Sequence, residues 1–161
     1  GVDILQPLIT DYSQNEAYAA PRAAAITRAA AEQSRRLSLP EILPPVRIND
    51  VFAAPATDKI DRYFCCVEHE NLPALLSTAE RELLRLKAEK SLPSPNNSSL
   101  IQFGLVIGPE GGFSPREVAL LSGLSSARLV TLGKEILRTE TASLVGLSLL
   151  KALIPHILTQ E

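Results

Sequence analysis

Between Leu105 and Leu144 one arrangement occurs twice: a short apolar run, a glycine-bearing loop, then a helix start. Leu105-Val106-Ile107 reads as a buried strand. The loop after it is Gly108-Pro109-Glu110-Gly111-Gly112-Phe113-Ser114. Ser114 is a helix N-cap, Pro115 suits the first helical position, and Glu117 completes a capping box. The second apolar run, Ala127 to Thr131, leads into Leu132-Gly133-Lys134-Glu135-Ile136-Leu137-Arg138-Thr139-Glu140 and a last helix from Thr139 to Leu158. Strand, loop and helix in repetition predict an α/β fold with a parallel sheet. Ligands bind outside the carboxyl ends of such strands, which is where both loops fall.

The upstream chain supplies further elements of the same kind. Val2 to Ile9 predicts a short strand, with Pro7 inside it, and Asp11 to Glu16 is turn material. Alanines and Ile26 give a helix from Pro21 to Leu37, carrying Arg22, Arg28, Glu32, Arg35 and Arg36. On composition those charges read as a solvated face. Pro40, Pro44 and Pro45 break the chain, and Asn49 caps a short helix to Ala54. Arg62 to Val67 is rich in β-favouring residues and predicts a strand. An amphipathic helix from Leu72 to Lys90 follows, with ion pairs expected around Glu80, Arg81 and Arg85, and then a polar surface loop, Ser91 to Ser99.

The last helix is apolar on nearly all sides, with Ala142, Leu144, Val145, Leu149 and Ile154. Such a helix needs cover on two sides, and a second subunit is the simplest cover for the outer one. The apolar stretch Ala142 to Ile154 is interrupted by Ser143, Gly146, Ser148 and Lys151, too short and too polar to span a bilayer. Nothing resembles a signal peptide, and the adjacent Cys65 and Cys66 point to opposite faces of a strand, so a reduced, cytoplasmic protein is expected. With 161 residues the chain makes one domain, and a net charge of -2 requires any RNA contact to use a local patch. His69 between Glu68 and Glu70 does not make a metal site, because neighbours on a strand end do not converge on one ion.

The first glycine loop lacks the G-x-G-x-x-G spacing of a dinucleotide fold and the Gly-Lys-Ser/Thr ending of a P-loop. Pattern alone therefore leaves an unspecified nucleotide-like ligand.

GPEGGFS and LGKEILRTETA, together with the upstream AAEQSRRLSLPEI from Ala30 to Ile42, resemble the small-subunit (16S) ribosomal RNA uridine-N3 methyltransferases of the SPOUT superfamily. A ribose methyltransferase of that superfamily would resemble the chain at Gly108 to Gly112 but would not end in Ile-Leu-Arg-Thr-Glu-Thr. The resemblance implies a parallel sheet with helices on both faces and a C-terminal trefoil knot. It also implies S-adenosylmethionine in the knot loops, a homodimer through the last helix and a ribosomal RNA substrate. It makes residues 1–161 a SPOUT domain, expected to lack a first strand-helix unit and an N-terminal RNA-binding barrel.

Residue by residue, the resemblance gives cofactor binding to Val67, Ile107, Gly108, Pro109, Glu110, Gly111, Leu132, Gly133, Ile136, Leu137 and Thr139. It gives Arg138 the task of stabilising charge on the uracil. Glu140 or Glu110 is to accept the proton or orient the base, with helix capping the plainer role for either. Gln33 and Arg36 are to face the uridine or its phosphate. Two other functions remain open at this point: methylation of another RNA base or ribose, and a non-catalytic SPOUT-like dimeric binding module.

Overall fold

The protein, described here from a computed structural model, is placed over residues 1–14, 19–52, 60–69, 71–90 and 101–158, with side chains to residue 153. The Ser91–Ser99 loop, Ala54, Glu70 and the side chain of Ile154 lie outside the described residues.

The main sheet has three parallel strands, β5 (Arg62–Cys66), β6 (Phe103–Ile107) and β7 (Ala127–Val130), in the order β6-β5-β7. From β5 the chain crosses through α3 (Leu75–Lys90) to β6 on one side. From β6 it crosses through α4 (Pro115–Gly123) past β5 to β7 on the other. Crossovers between parallel strands keep one hand, so two that run in opposite directions put their helices on opposite faces. The packing follows. Tyr63 and Cys65 of β5 join Leu121 of α4 and Ile48 of α2 (Ile48–Val51). Phe64 joins Leu75, Ala79 and Leu83 of α3 and Leu150 and Leu153 of α5 (Thr139–Leu158), with Cys66 packed against them. The two neighbouring cysteines thus face opposite layers, as the strand period requires.

The predicted first strand is two. β1 (Ile4–Leu5) pairs in parallel with β3 (Glu41–Ile42), and β2 (Leu8–Ile9) with β4 (Val46–Arg47). Proline carries no N–H for a ladder, and Pro7 on one side and Pro44-Pro45 on the other interrupt both. Gln6 bridges the break by donating from Nε2 to the Pro44 carbonyl at 2.6 Å.

Three other boundaries move for local reasons. Asn49 sits inside α2, not at its cap, because the helix starts at Ile48 after Arg47. Leu72 to Ala74 is not yet helix: Pro73 accepts from Thr131 N and Ala74 pairs with Thr131, lashing the start of α3 to the end of β7. Helix α1 (Ala20–Gln33) stops four residues before the predicted Leu37. Arg35 turns into the left-handed region at φ 55°, Arg36 N donates to Ala31 O, and Arg35 N donates to Glu32 O. That is a Schellman stop with arginine where glycine is usual.

The ion pairs of α3 differ from those expected at Glu80. Arg85 bonds Glu89, one turn on, at 2.8 Å. Glu82, 5 % exposed, is held by Arg62 of β5 and by Arg128 of β7 at 2.8 Å. One carboxylate therefore ties a helix to two neighbouring strands. Burial raises the pKa of Glu82, and the bonds from the two arginines more than offset it, so the carboxyl titrates below its ordinary 4.5.

On α5 the buried positions are Ala142, Gly146, Leu150 and Leu153, a single face. Leu149 packs against the core of its own chain, whereas Leu144 is 69 % exposed. Among the described residues no helix is long and apolar enough to cross a membrane.

Two outcomes are expected. Arg35→Gly should stabilise the protein by about 1 kcal/mol, since it removes a side chain from a left-handed residue, and should raise Tm by roughly 2–4 °C. Glu82→Gln should cost on the order of 3 kcal/mol, because two arginines lose their shared charge. The stability that Glu82 contributes is present above its unfolded pKa and is lost as pH falls through the lower folded value. Acid melts should therefore show the wild type losing its advantage over Glu82→Gln below about pH 4.

Candidate functional site: a cleft at the carboxyl ends of β5, β6 and β7

The switch in crossover direction leaves a crevice above the ends of the three strands. It is a cleft of about 280 Å³. Three loops wall it: Cys66 to His69 after β5, Ile107 to Phe113 after β6, and Thr131 to Thr139 after β7.

The loop after β6 is fixed from below. Ser114 accepts from Glu117 N at 3.3 Å, and Ser114 N donates to Glu117 Oε2 at 2.8 Å, so the predicted capping box is formed. Glu117 is 2 % exposed and its other oxygen accepts from Asp11 N at 2.9 Å. The Ser114 hydroxyl donates to Asp11 Oδ2 at 2.5 Å. The cap of α4 thereby also clamps the turn that follows β2. Above it, Gly112 N donates to Pro109 O at 2.8 Å and closes a tight turn in which Gly112 takes φ 69°. A β-carbon on Gly108 would lie 3.2 Å from the Phe113 ring, so that position is crowded from inside the loop.

The loop after β7 makes its own turn. The Thr131 hydroxyl donates to Gly133 O at 2.7 Å, and Gly133 takes φ 147°. The loop then meets its counterpart: Thr139 Oγ1 donates to Gly108 O at 3.1 Å, joining the start of α5 to the end of β6. Val67 N donates to Val130 O at 2.9 Å, which holds the third loop against the second. The walls are mainly apolar side chains and backbone, with Glu68, His69, Lys134 and Glu135 at the polar positions. That suits a ligand with a flat apolar part and several hydrogen-bonding groups.

Of the expected cofactor contacts, Val67, Ile107, Gly108, Pro109, Leu132, Gly133, Ile136, Leu137 and Thr139 line this cleft. Glu110 and Gly111 are the exposed middle of the Pro109–Gly112 turn and do not line it. Arg138 and Glu140 sit beside the wall, both exposed. The Arg138 carbonyl accepts from Ala142 N at 2.8 Å as α5 begins, and its guanidinium forms no salt bridge with any described residue, Glu135 and Glu140 included. Glu140 occupies the first turn of α5, where a carboxylate complements the helix N-terminus.

Gln33 and Arg36 lie elsewhere. Gln33 is exposed at the last residue of α1, and Arg36 donates to Val2 O at 2.9 Å and lies 3.6 Å from Asp3. Val2 begins the extended segment whose other end, Asp11, touches the α4 cap. Neither Gln33 nor Arg36 is in the wall of the cleft.

The wall also contains Cys66, Glu68, His69, Gly112, Phe113, Thr131, Lys134, Glu135 and Ala142. The contribution of the loop after β5 follows from strand order, which no local pattern states. Burial pushes both Cys65 and Cys66 up to about 12, with Cys66 adding to the shift of Cys65, so the Cys66 thiol in the wall stays neutral and is no nucleophile. His69 Nδ1 accepts from Asn71 N at 3.3 Å. Among the described residues no group of three His, Cys, Asp or Glu side chains converges as metal ligands would.

Comparison with known proteins finds relatives and solved structures over nearly the whole chain. A Rickettsia conorii protein named ribosomal RNA small subunit methyltransferase E is 30 % identical over 156 residues, 97 % of this chain and 56 % of its own length. A solved Legionella pneumophila structure, a candidate methyltransferase in complex with the bound cofactor SAM, is 30 % identical with TM-score 0.64, over 94 % of this chain and 56 % of that one. A Neisseria gonorrhoeae ribosomal RNA small subunit methyltransferase E bound to S-adenosyl methionine is 25 % identical with TM-score 0.60, over 96 % and 54 %. The chain thus spans about half the length of these relatives. Residues 1–151 match the RNA methyltransferase domain, which takes in all three loops of the cleft, and the chain belongs to that family.

Proposed function

We propose that the protein transfers a methyl group from S-adenosylmethionine to N3 of a uridine in small-subunit ribosomal RNA. The observation that carries this reading is the cleft itself: three loops from adjacent parallel strands, apolar in the walls, with the Arg138 guanidinium beside it forming no salt bridge among the described residues. The Legionella and Neisseria structures hold the same cofactor, and the Rickettsia relative is named for the same class of RNA. The sequence motifs favour the uracil base over a ribose hydroxyl.

The residues present suit that cofactor. Val67, Ile107, Leu132, Ile136 and Leu137 offer apolar surface for an adenine ring, while Gly108 and Gly133 bring backbone without a side chain to the wall. When bound, the cofactor supplies an electrophilic methyl group on a sulfonium. What the chain must add is alignment of uracil N3 with that methyl, and stabilisation of the negative charge that the ring gains as N3 loses its proton. Arg138 is the candidate for the second task, since a guanidinium is always charged and presents several donors to oxygen. Glu140 or Glu110, both exposed beside the cleft, would take the proton or orient the base.

In this reading the chain forms a homodimer across α5, with Leu144 on the covered face, and threads its C-terminal loops as a trefoil knot. Gln33 and Arg36 then serve the cleft of the second copy. The protein works in the cytoplasm, with its ribosomal substrate.

Arg138→Ala tests the assignment. With isolated small ribosomal subunits as substrate, turnover should fall about a hundredfold, the scale for losing one charge-stabilising donor, while affinity for S-adenosylmethionine stays near that of the wild type. Turnover within a factor of a few removes Arg138 from the reaction. Loss of cofactor affinity and melting temperature together with turnover makes it structural.

A further inference from the structure

One aromatic side chain near the cleft has no structural duty that explains its position. Tyr12 is 47 % exposed, and it is the only exposed phenylalanine or tyrosine among the described residues. Its backbone is nonetheless tightly held. Thr10 N donates to Ser13 Oγ at 3.0 Å and Ser13 N to Thr10 O at 3.1 Å, which closes a turn with Asp11 and Tyr12 at its tip. Asp11 is bonded at both its amide and its carboxylate to the α4 cap, at 2.9 Å to Glu117 and 2.5 Å to Ser114. These contacts bridge 106 and 103 positions of sequence. A mobile surface tyrosine would need none of this.

The clamp places the ring against the outside of the Pro109–Gly112 turn. A β-carbon built on Gly111 would lie 3.3 Å from Tyr12 Cβ and 3.6 Å from its Cγ and Cδ2. The inside of that same loop lines the cleft, through Gly108, Pro109 and Gly112. Tyr12 therefore stands on the rim, one turn's thickness from the cofactor pocket and outside its wall. The other aromatic of the loop, Phe113, is 9 % exposed and packs on Gly108, so its face is spent.

A base presented for chemistry at N3 must leave its stack, and a displaced base is held by an aromatic face as well as by hydrogen bonds. We propose that Tyr12 is the stacking platform for the target uracil, held in place by the Asp11–Ser114–Glu117 clamp. This rests on the uridine reading of the cleft and names the residue that positions the base for it. The part used is the ring face, not the hydroxyl.

The test uses three variants of the protein, assayed for methyl transfer to isolated small ribosomal subunits, for S-adenosylmethionine affinity and for melting temperature. Tyr12→Ala should lower kcat/KM about ten- to a hundredfold, the range for losing one base–aromatic stack, with cofactor affinity and melting temperature held. Tyr12→Leu keeps apolar cover on Gly111 and should be as impaired as Tyr12→Ala. Tyr12→Phe should restore most of the loss. The proposal is overturned if Tyr12→Leu matches the wild type, if Tyr12→Phe is as impaired as Tyr12→Ala, or if cofactor affinity falls along with turnover. Absence of transfer by the wild type would overturn the uridine reading and this proposal with it, and is told apart because no variant is then involved.

Discussion

Everything at the functional end of this protein depends on β5 being paired on both sides. Its five residues, Arg62 to Cys66, share parallel ladders with β6 and β7 at once. Because the chain must step over β5 to get from β6 to β7, α3 and α4 fall on opposite faces and the crevice opens at the strand ends between them. At the other end of the same strands Glu82 of α3 takes bonds from Arg62 and Arg128. The sheet is thus held by charge at its start, and the loops that wall the cleft leave from its finish.

A second constraint is the α4 cap. Ser114 and Glu117 satisfy the helix start, as a capping box does in any protein. Here the same two side chains also bind Asp11, so the capping energy is shared with the attachment of the N-terminal segment. Loop, cap and turn are bonded into one unit. That rigidity is what a site needs if a methyl group and a ring nitrogen must meet in line, since small misplacements weaken catalysis steeply.

Much of this was legible in the chain beforehand, for reasons that differ by residue. The strand and helix at Leu105 to Gly123 carried their own punctuation: an apolar run, glycines, then Ser-Pro-Arg-Glu. The last helix carries a dense apolar pattern and runs over Thr139–Leu158. Nine of the cofactor candidates fell in the cleft wall because they belong to loops that follow strands. The part that local pattern could not reach concerns pairing across the chain. Nothing near Cys66 or His69 says that β5 lies in the middle of the sheet, so their place in the wall was hidden. Nothing near Gln33 says that the end of α1 meets Val2 through Arg36. Arg35 stops that helix from a left-handed conformation that composition does not favour, and the predicted helix overran it. Glu82 looked like one charge among many on α3 until its partners on β5 and β7 came together.

The three loops together are proposed to form one cofactor site. Amide hydrogen exchange with and without S-adenosylmethionine addresses it directly, since a ligand of the native state slows exchange where it binds. The account predicts new protection concentrated in Cys66–His69, Ile107–Phe113 and Thr131–Thr139 together. Protection that is absent from these loops, or that falls in only one of them, would contradict it.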